Sequence, residues 1–409
     1  MRKEYTNLLV GLDIGTSKVV AAVAELRDDN TLEVVGMGQT ESRGLKKGGV
    51  VNIEATVQSI QKALEEAELM ADCKIADVYT GISGNHIRSF NSSGMVAIKE
   101  KEVTQADVAR VLETAKAVNI PTDHQILHLI TQEFMIDGQG GVREPIGMSG
   151  IRLETKVHIV TSAISAAQNI IKCVRRCGLE VSDLILQPIA SSLSVLTEDE
   201  KELGAVLIDI GSGTTDIAIY SEGAIRHTSV IPIAGDQITN DIAMALRTPT
   251  ADAEEIKIRY GLAKQVLADP GELIEVNGVG DRGPRSLSRQ ALAAVIEPRV
   301  EELLSLVHQV VRESGYEELL SSGIVLTGGT AQMAGMVELA EDIFLKPARV
   351  GLPDYHGNLY EVMCNSRYAT VMGLLLEARA QNIQGEKTAA RTAQGKWLAR
   401  IKDWFFSNF

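Results

Sequence analysis

Basic residues are the scarcer charge in this sequence: 40 Lys and Arg stand against 54 Asp and Glu, a formal net charge of −14. That balance excludes a general nucleic-acid binder, because phosphate recognition needs a broad basic surface that releases counterions. Any anionic partner has to meet a local basic patch. Cysteine is also sparse, at Cys73, Cys173, Cys177 and Cys364, and no secretory-type leader precedes the first strand pattern. A reduced, cytoplasmic setting is expected. Cys173 and Cys177 lie one helical turn apart in CVRRC, but no second Cys or His pair completes a four-ligand set, so buried helix-face thiols are expected rather than a metal site. No apolar run approaches the ~20 residues of a membrane-spanning helix. Aromatic residues make up only 4%, yet both tryptophans and three of the six phenylalanines fall in the last thirteen residues.

What is abundant is aliphatic core material. With 409 residues and 45% hydrophobic content, the chain is too long for one ordinary core, and two lobes are expected. An internal repeat supports this. NLLVGLDIG, KVVAAVAEL and TLEVVGMGQTES read as strand, turn, strand, turn, strand; AVLIDIG, TDIAIYSEG and AIRHTSVIPIAG repeat that order from Ala205. Two copies this far apart mean related lobes and not a solenoid. Between them, helical spacing runs from Ile53 to Met70. The stretch 84–160 changes rhythm: a helix capped by Thr104 with Asp107 three residues on is followed by the strand patterns HQILHLITQEFMI and RLETKVHIVTS. It reads as a small inserted α/β subdomain, or as more of the first sheet. Later, Thr239 to Gly261 reads as helical, 271–289 as irregular, Ser288 to Val311 as a long helix, and a further helix begins near Gln332. Residues 381–395 hold a single large apolar residue and read as a flexible linker.

The repeated turn carries the chemistry. A strand ending in Asp, then Gly and small residues, leaves backbone N–H groups open to phosphate oxygens. These residues are Gly15, Thr16, Ser17 and Lys18 in one copy and Gly211, Ser212, Gly213, Thr214 and Thr215 in the other, with Lys18 adding positive charge. One such turn alone reads as an ordinary hairpin. A pair places Asp13 and Asp209 in one cleft from opposite lobes, where two carboxylates facing a triphosphate require a cation. Mg²⁺ fits, held largely through water. Gly328 and Gly329, between an apolar strand and a helix, would let a flat base lie against the backbone.

GLDIGTSKV, LIDIGSGTTDIAIY and IVLTGGTAQM resemble the phosphate-1, phosphate-2 and adenosine motifs of the actin, Hsp70 and sugar-kinase superfamily. SRGLKKGGVVNIEATVQSIQKALEEAELMA, TQEFMIDGQ, ASSLSVLTEDE, AEEIKIRYG and RSLSRQALAAVIEPRVEELL extend the resemblance to the FtsA family of bacterial cell-division proteins over essentially the whole chain. The resemblance implies an α/β, actin-like (ribonuclease H-like) duplicated two-lobe fold closing on Mg-ATP. It implies a first lobe of 1–83 with 161–193, an inserted subdomain of 84–160, a second lobe of 194–227 with 305–380, and a small subdomain of 228–304. Glu254 and Lys257 match a helix beside the ribose, although alone they read as a surface i,i+3 pair. Gly235 matches a glycine near the phosphates, and otherwise reads as a turn glycine. Gln187 stands where other superfamily members orient an attacking water.

The same resemblance implies partners: itself in filaments, the C-terminal peptide of FtsZ, and the cytoplasmic end of FtsN with other division proteins. Arg282, Arg285, Arg289 and Arg299 crowd the small subdomain that would receive the FtsZ peptide, with Arg285 and Arg299 the chosen contacts; a solvated basic face is the plainer reading. The tail GKWLARIKDWFFSNF has its own logic. On a helix, Trp397, Leu398, Ile401, Trp404, Phe405 and Phe409 share one face, with Lys396 and Arg400 opposite and Lys402 completing a basic cluster. Burying each apolar side chain is worth ~1.5–3 kcal/mol, so the face must be covered, by the protein's own core, by a partner or by an anionic bilayer. The resemblance implies the bilayer, at the cytoplasmic face of the inner membrane. A pilus-assembly actin homologue or a small-molecule kinase would share the fold without needing such a tail.

Overall fold

A computed structural model describes residues 7–280 and 283–383. The first strands, β1 (Leu8–Ile14), β2 (Lys18–Leu26) and β3 (Leu32–Glu41), pair antiparallel as the pattern predicts. A short ladder of β4 (Leu45–Lys46) and β5 (Gly49–Val50) leads into α1 (Ile53–Ala71), whose first turn is capped by Asn52 accepting from the Ala55 N–H. β6 (Asp77–Ile82) then runs parallel to β1.

At Ile87 the chain leaves this lobe. β7 (Ile87–Ala97), α2 (Gln105–Lys116), β8 (His124–Ile136), β9 (Gln139–Val142) and β10 (Arg152–Ala163) form a separate four-stranded sheet in the order β7-β10-β8-β9. Val111 of α2 packs with Phe134, Ile136 and Leu153 in its core. The expected cap is present in both directions: Thr104 accepts from the Asp107 N–H, and the Asp107 side chain accepts from the Thr104 N–H. The Thr104 hydroxyl, which donates to the Asp107 carboxylate at 2.6 Å, then the Thr104 N–H and Arg110, hold the Asp107 carboxyl down at about 2. Thr104→Ala is expected to cost about 1 kcal/mol, read as a lower urea midpoint at unchanged slope.

The chain returns through α3 (Ile164–Arg176) and β11 (Glu180–Leu186), completing a sheet in the order β11-β6-β1-β2-β3. All four cysteines are free; Cys173 is buried on α3 as expected, whereas Cys177 is half-buried at the helix C-cap, where burial pushes its thiol up to about 11. α4 (Gln187–Val195) crosses to the second lobe, and α5 (Glu198–Leu203) precedes β12 (Ala205–Ile210), β13 (Thr215–Ser221) and β14 (Ala224–Ile231). Then come α6 (Gly235–Leu246), α7 (Thr250–Tyr260), β15 (Leu273–Val276), β16 (Arg285–Ser288), α8 (Arg289–Ser314), β17 (Gly323–Thr327), α9 (Met336–Phe344), β18 (Ala348–Val350) and α10 (Tyr360–Met363). The second sheet is ordered β14-β13-β12-β17-β18, the strand-for-strand counterpart of β3-β2-β1-β6-β11. The repeat is therefore structural as well as sequential: an actin-like, duplicated α/β fold with an inserted sheet.

Four expectations need correction. The helix expected over Thr239–Gly261 is two helices, because Arg247 turns left-handed and Pro249 follows before α7. The segment 271–289, read as irregular, holds the β15–β16 hairpin: Ile274 and Val276 are buried and alternate with exposed Leu273 and Glu275. Past Gly329 comes one 3₁₀ turn, and α9 starts only at Met336, after left-handed Gly335. Finally, the helix over 369–383 does not pack as second-lobe core. Its Val371, Met372, Leu375 and Ala378 share a cluster with Leu9, Val20, Ala22 and Ala24 of the first sheet. The helix also runs into the expected linker, where Gln381 Nε2 donates to Asp183 Oδ2 at 2.7 Å. The remainder of that linker and the tail 396–409 lie outside the described residues.

Candidate nucleotide cleft

The two Asp-Gly turns close in the same way. The Gly15 N–H donates to the Lys18 carbonyl at 2.9 Å, and the Gly211 N–H to the Thr214 carbonyl at 3.0 Å. They meet across one cavity of about 300 Å³ lined by Asp13, Gly15, Thr16, Ser17 and Lys18 from one lobe and Asp209, Gly211, Ser212, Gly213 and Thr214 from the other. The approach is close: a Cβ on Gly213 would lie 2.5 Å from Thr16 Oγ1. Gln187, Glu254, Lys257, Gly328 and Gly329 line the same cavity. Gly328 has φ +88°, and a side chain there would meet Asp209 Oδ1 at 2.4 Å, so the position requires glycine twice over.

The polar contacts sort these residues. Lys18 Nζ lies 3.2 Å from Asp13 Oδ2, and Gln187 Nε2 donates to Asp13 Oδ1 at 3.2 Å. Asp209 accepts from Ser191 Oγ at 2.5 Å and from Thr370 Oγ1 at 3.3 Å; burial nevertheless pushes its carboxyl upward. Lys257 makes the i,i+3 pair with Glu254 at 2.7 Å while staying buried, because its ammonium also donates to the Gly235 carbonyl and to Thr239. The pair thus belongs to the cleft wall, with Lys257 buried and Glu254 partly exposed.

Two of the expected nucleotide contacts do not line the cavity. Thr215 is fully buried at the start of β13, and its hydroxyl donates to the Ile233 carbonyl at 2.8 Å. Gly235 lies behind the second turn: its N–H and that of Asp236 donate to the carbonyls of Gly211 and Ser212, so it braces the turn. Arg285 and Arg299 both have partners within the chain. Arg285 donates to the Leu246 carbonyl, and Arg299 forks onto both oxygens of Asp241 and reaches Glu302. Arg282 lies outside the described residues.

Several lining residues carry no sequence signal of their own. Asp216, the cross-strand partner of Asp209, hydrogen bonds to Ser83 of the first lobe and accepts from Thr214; burial, then repulsion from Asp209, pushes it up to about 7. Thr370 lines the cavity from a run of small residues, and Ser191, in another such run, stands behind Asp209. Arg367, Gln332 and Met333 line the far end with Gly329.

Whether these residues suit a metal-bound phosphate chain is decided by their donors. The Ser212 hydroxyl is buried at the second turn without a partner, an unsatisfied group that a phosphate oxygen would satisfy. Among the described residues no group of three His, Cys, Asp or Glu gathers around one point. Asp13 and Asp209, both on the cavity, would suit a cation that brings water and phosphate ligands with it, as Mg²⁺ does.

Known proteins match nearly the whole length of the chain. A family model described as Cell division protein FtsA matches residues 206–373, and one described as SHS2 domain inserted in FTSA matches residues 84–161. The chain is 59% identical over 409 residues to the cell division protein FtsA of Pseudomonas aeruginosa, covering 98% of each. It is 46% identical over 412 residues to that of Escherichia coli strain K12, again covering 98% of each. Among solved structures, the PilM–PilN type IV pilus biogenesis complex superposes with TM-score 0.66 at 17% identity, over 93% of this chain and 99% of that one. MreB 5 of Spiroplasma citri bound to AMPPNP superposes with TM-score 0.55 at 17% identity, over 94% of this chain and all of that one (100%). Those two likenesses establish the actin-like fold, and the near full-length identity to curated relatives establishes more: this chain belongs to the FtsA family of cell-division proteins.

Proposed function

We propose that the chain is an ATP-binding, actin-like division protein that polymerises on the cytoplasmic face of the inner membrane, ties FtsZ filaments to it, and recruits later division proteins. The observation that carries the reading is the facing pair of Asp-Gly turns, one from each lobe, around one shared cavity, with an unpartnered serine hydroxyl on the second turn. A solved neighbour of this fold is bound to AMPPNP, which supports a nucleotide in the same cleft. Backbone N–H groups of the two turns bind the phosphates and Lys18 supplies charge to them. Mg²⁺, held largely through water by Asp13 and Asp209, would neutralise the phosphate chain. Glu254, Lys257, Gly328 and Gly329 take the nucleoside.

Nucleotide acts by favouring the closed arrangement of the lobes that polymerises, a population shift rather than turnover. Any hydrolysis is slow, with Gln187, whose amide already reaches Asp13, orienting the water. The domain limits given above define the working parts, with 84–160 meeting later partners such as FtsN and 228–304 meeting the FtsZ peptide. An acidic peptide at Arg299 has to exchange with Asp241 and Glu302 for the guanidinium, which makes that contact a swap of ion pairs. Among the described residues no helix is long and apolar enough to cross a membrane, so attachment falls to the tail: Trp397, Leu398, Ile401, Trp404, Phe405 and Phe409 enter the bilayer while Arg400 and Lys402 meet anionic headgroups. One such helix binds reversibly, and a polymer multiplies it.

The test is electron microscopy of the full chain on anionic lipid monolayers with and without Mg-ATP. Filaments are expected only with both lipid and nucleotide. Deleting residues 396–409 is expected to abolish lipid-bound filaments while leaving the heat of Mg-ATP binding in a calorimeter unchanged; undiminished liposome binding by the truncated chain would refute the tail's role.

A further inference from the structure

Two segments carry the chain between the lobes, α4 and the helix over 369–383, and each delivers a hydroxyl to the same oxygen. Ser191 Oγ donates to Asp209 Oδ2 at 2.5 Å, Thr370 Oγ1 lies 3.3 Å from that atom, and the two hydroxyls are 3.1 Å apart. One turn before Ser191, Gln187 Nε2 donates to Asp13 Oδ1 at 3.2 Å. A single face of α4 therefore addresses both cleft carboxylates, one from each lobe, through residues i and i+4.

The ordinary behaviour of a helical serine is to return its hydroxyl to a carbonyl of the preceding turn. Ser192, on the same helix, does so: it donates to the carbonyl of Ile189. Ser191 does not. It is fully buried, and its hydroxyl is committed to Asp209 and Thr370. A buried carboxylate needs such donors to remain charged and in one place. With Oδ2 held from both crossing segments, the other oxygen, Oδ1, is the one turned toward Gly328.

We propose that Ser191 and Thr370 are positioning residues that hold Asp209 in place for the hydrated Mg²⁺ of bound nucleotide, so that the metal's share of nucleotide affinity is set by the pair of crossing segments. The proposal rests on the nucleotide reading above. Ligand-orienting partners of this kind ordinarily change metal affinity by about tenfold to a hundredfold when removed. The phosphate turns and the nucleoside end do not depend on these hydroxyls, so metal-free binding is left intact.

The experiment measures ATP affinity of the full chain with Mg²⁺ and with EDTA. In the Ser191→Ala, Thr370→Val double variant, the ratio of the two affinities is expected to fall by about tenfold or more, with the EDTA value unchanged. Thr370→Ser, which keeps the hydroxyl, is expected to retain the wild-type ratio. An unchanged ratio in the double variant overturns the proposal, and so does a loss of equal factor with and without Mg²⁺, which marks general damage to the cleft. If the double variant does not fold, Thr370→Val alone keeps the volume and removes one hydroxyl; a ratio equal to wild type then overturns it. No ATP binding by the wild-type chain in either condition overturns the nucleotide reading itself, an outcome distinct from the others.

Discussion

Gly373→Ala is expected to destabilise the chain by roughly 3 kcal/mol or more, at or beyond the top of the usual range for overpacking. The sign is opposite to the ordinary one, since Gly to Ala inside a helix normally stabilises by about 1 kcal/mol. What reverses it is the crossing of the two connecting helices. A Cβ on Gly373 would lie 1.7 Å from the carbonyl oxygen of Ala190 and 2.2 Å from its carbon. Both obstacles are backbone, so no side chain can swing aside, and Ser194 Oγ donating to the Ala369 carbonyl at 2.7 Å ties the helices together nearby. The same helices carry Ser191, next to Ala190, and Thr370, one turn before Gly373, so separating them also disturbs Asp209. Urea denaturation measures the effect. Gly49→Ala, whose Cβ would come no closer than 3.6 Å to any neighbour, is the control, expected within about 0.5 kcal/mol of wild type. A loss at Gly373 no larger than the control's would mean that the crossing is not a fixed contact.

That crossing was only half legible in the sequence. The repeat of strand, turn and strand could be read because alternation of apolar residues is local, and the Asp-Gly turns because each is a contiguous string. Asp13 and Asp209 followed from that symmetry alone. Gly373 and Ala190, by contrast, are small residues in small-residue runs, and only the packed helices show which of them touch. The helix over 369–383 follows β18 and α10 in the chain, so sequence order placed it with the second lobe; its apolar face belongs to β1 and β2, hundreds of residues earlier. Arg299 looked like a free cation because nothing within its own helix beyond Glu302 opposes it, whereas Asp241 arrives from α6. The β15–β16 hairpin escaped because two buried residues in β15 and none in β16 are too few to register as alternation. In each case the missing information was a long-range contact.

Acidification is expected to remove several kcal/mol of stability through two imidazoles at the seam of the inserted sheet, His158 fully buried and His128 half-buried. His128 Nε2 accepts from the Leu186 N–H at 3.0 Å, so a proton on that nitrogen faces another hydrogen; burial pushes this ring down to about 4, with Asp183 opposing weakly. His158 lies between Asn91 Oδ1 at 2.8 Å and Thr228 Oγ1 at 3.0 Å, which a neutral ring protonated on Nδ1 satisfies at both ends. Burial, then His227 and His128, pushes it down to about 3. Both folded values lie below the unfolded one near 6.5, so nothing is lost above that pH. Below it the unfolded chain takes up protons that the folded chain refuses, and the loss grows until pH passes the folded values. By pH 5 the two rings together cost about 4 kcal/mol. Asp216, pushed up to about 7, works in the other direction, gaining stability as pH falls from there. Comparing wild type with a His128→Gln, His158→Gln variant cancels that carboxyl, because both chains carry it. The stability difference between them, measured in urea, is expected to shift by about 4 kcal/mol against the wild type from pH 7 to pH 5, whereas a difference independent of pH would mean that both rings titrate as they do in the unfolded chain. His158 joins β10 to Thr228 of β14, and His128 joins β8 to the end of β11. The rings whose protonation the fold resists are therefore among those that seat the inserted sheet on the two lobes.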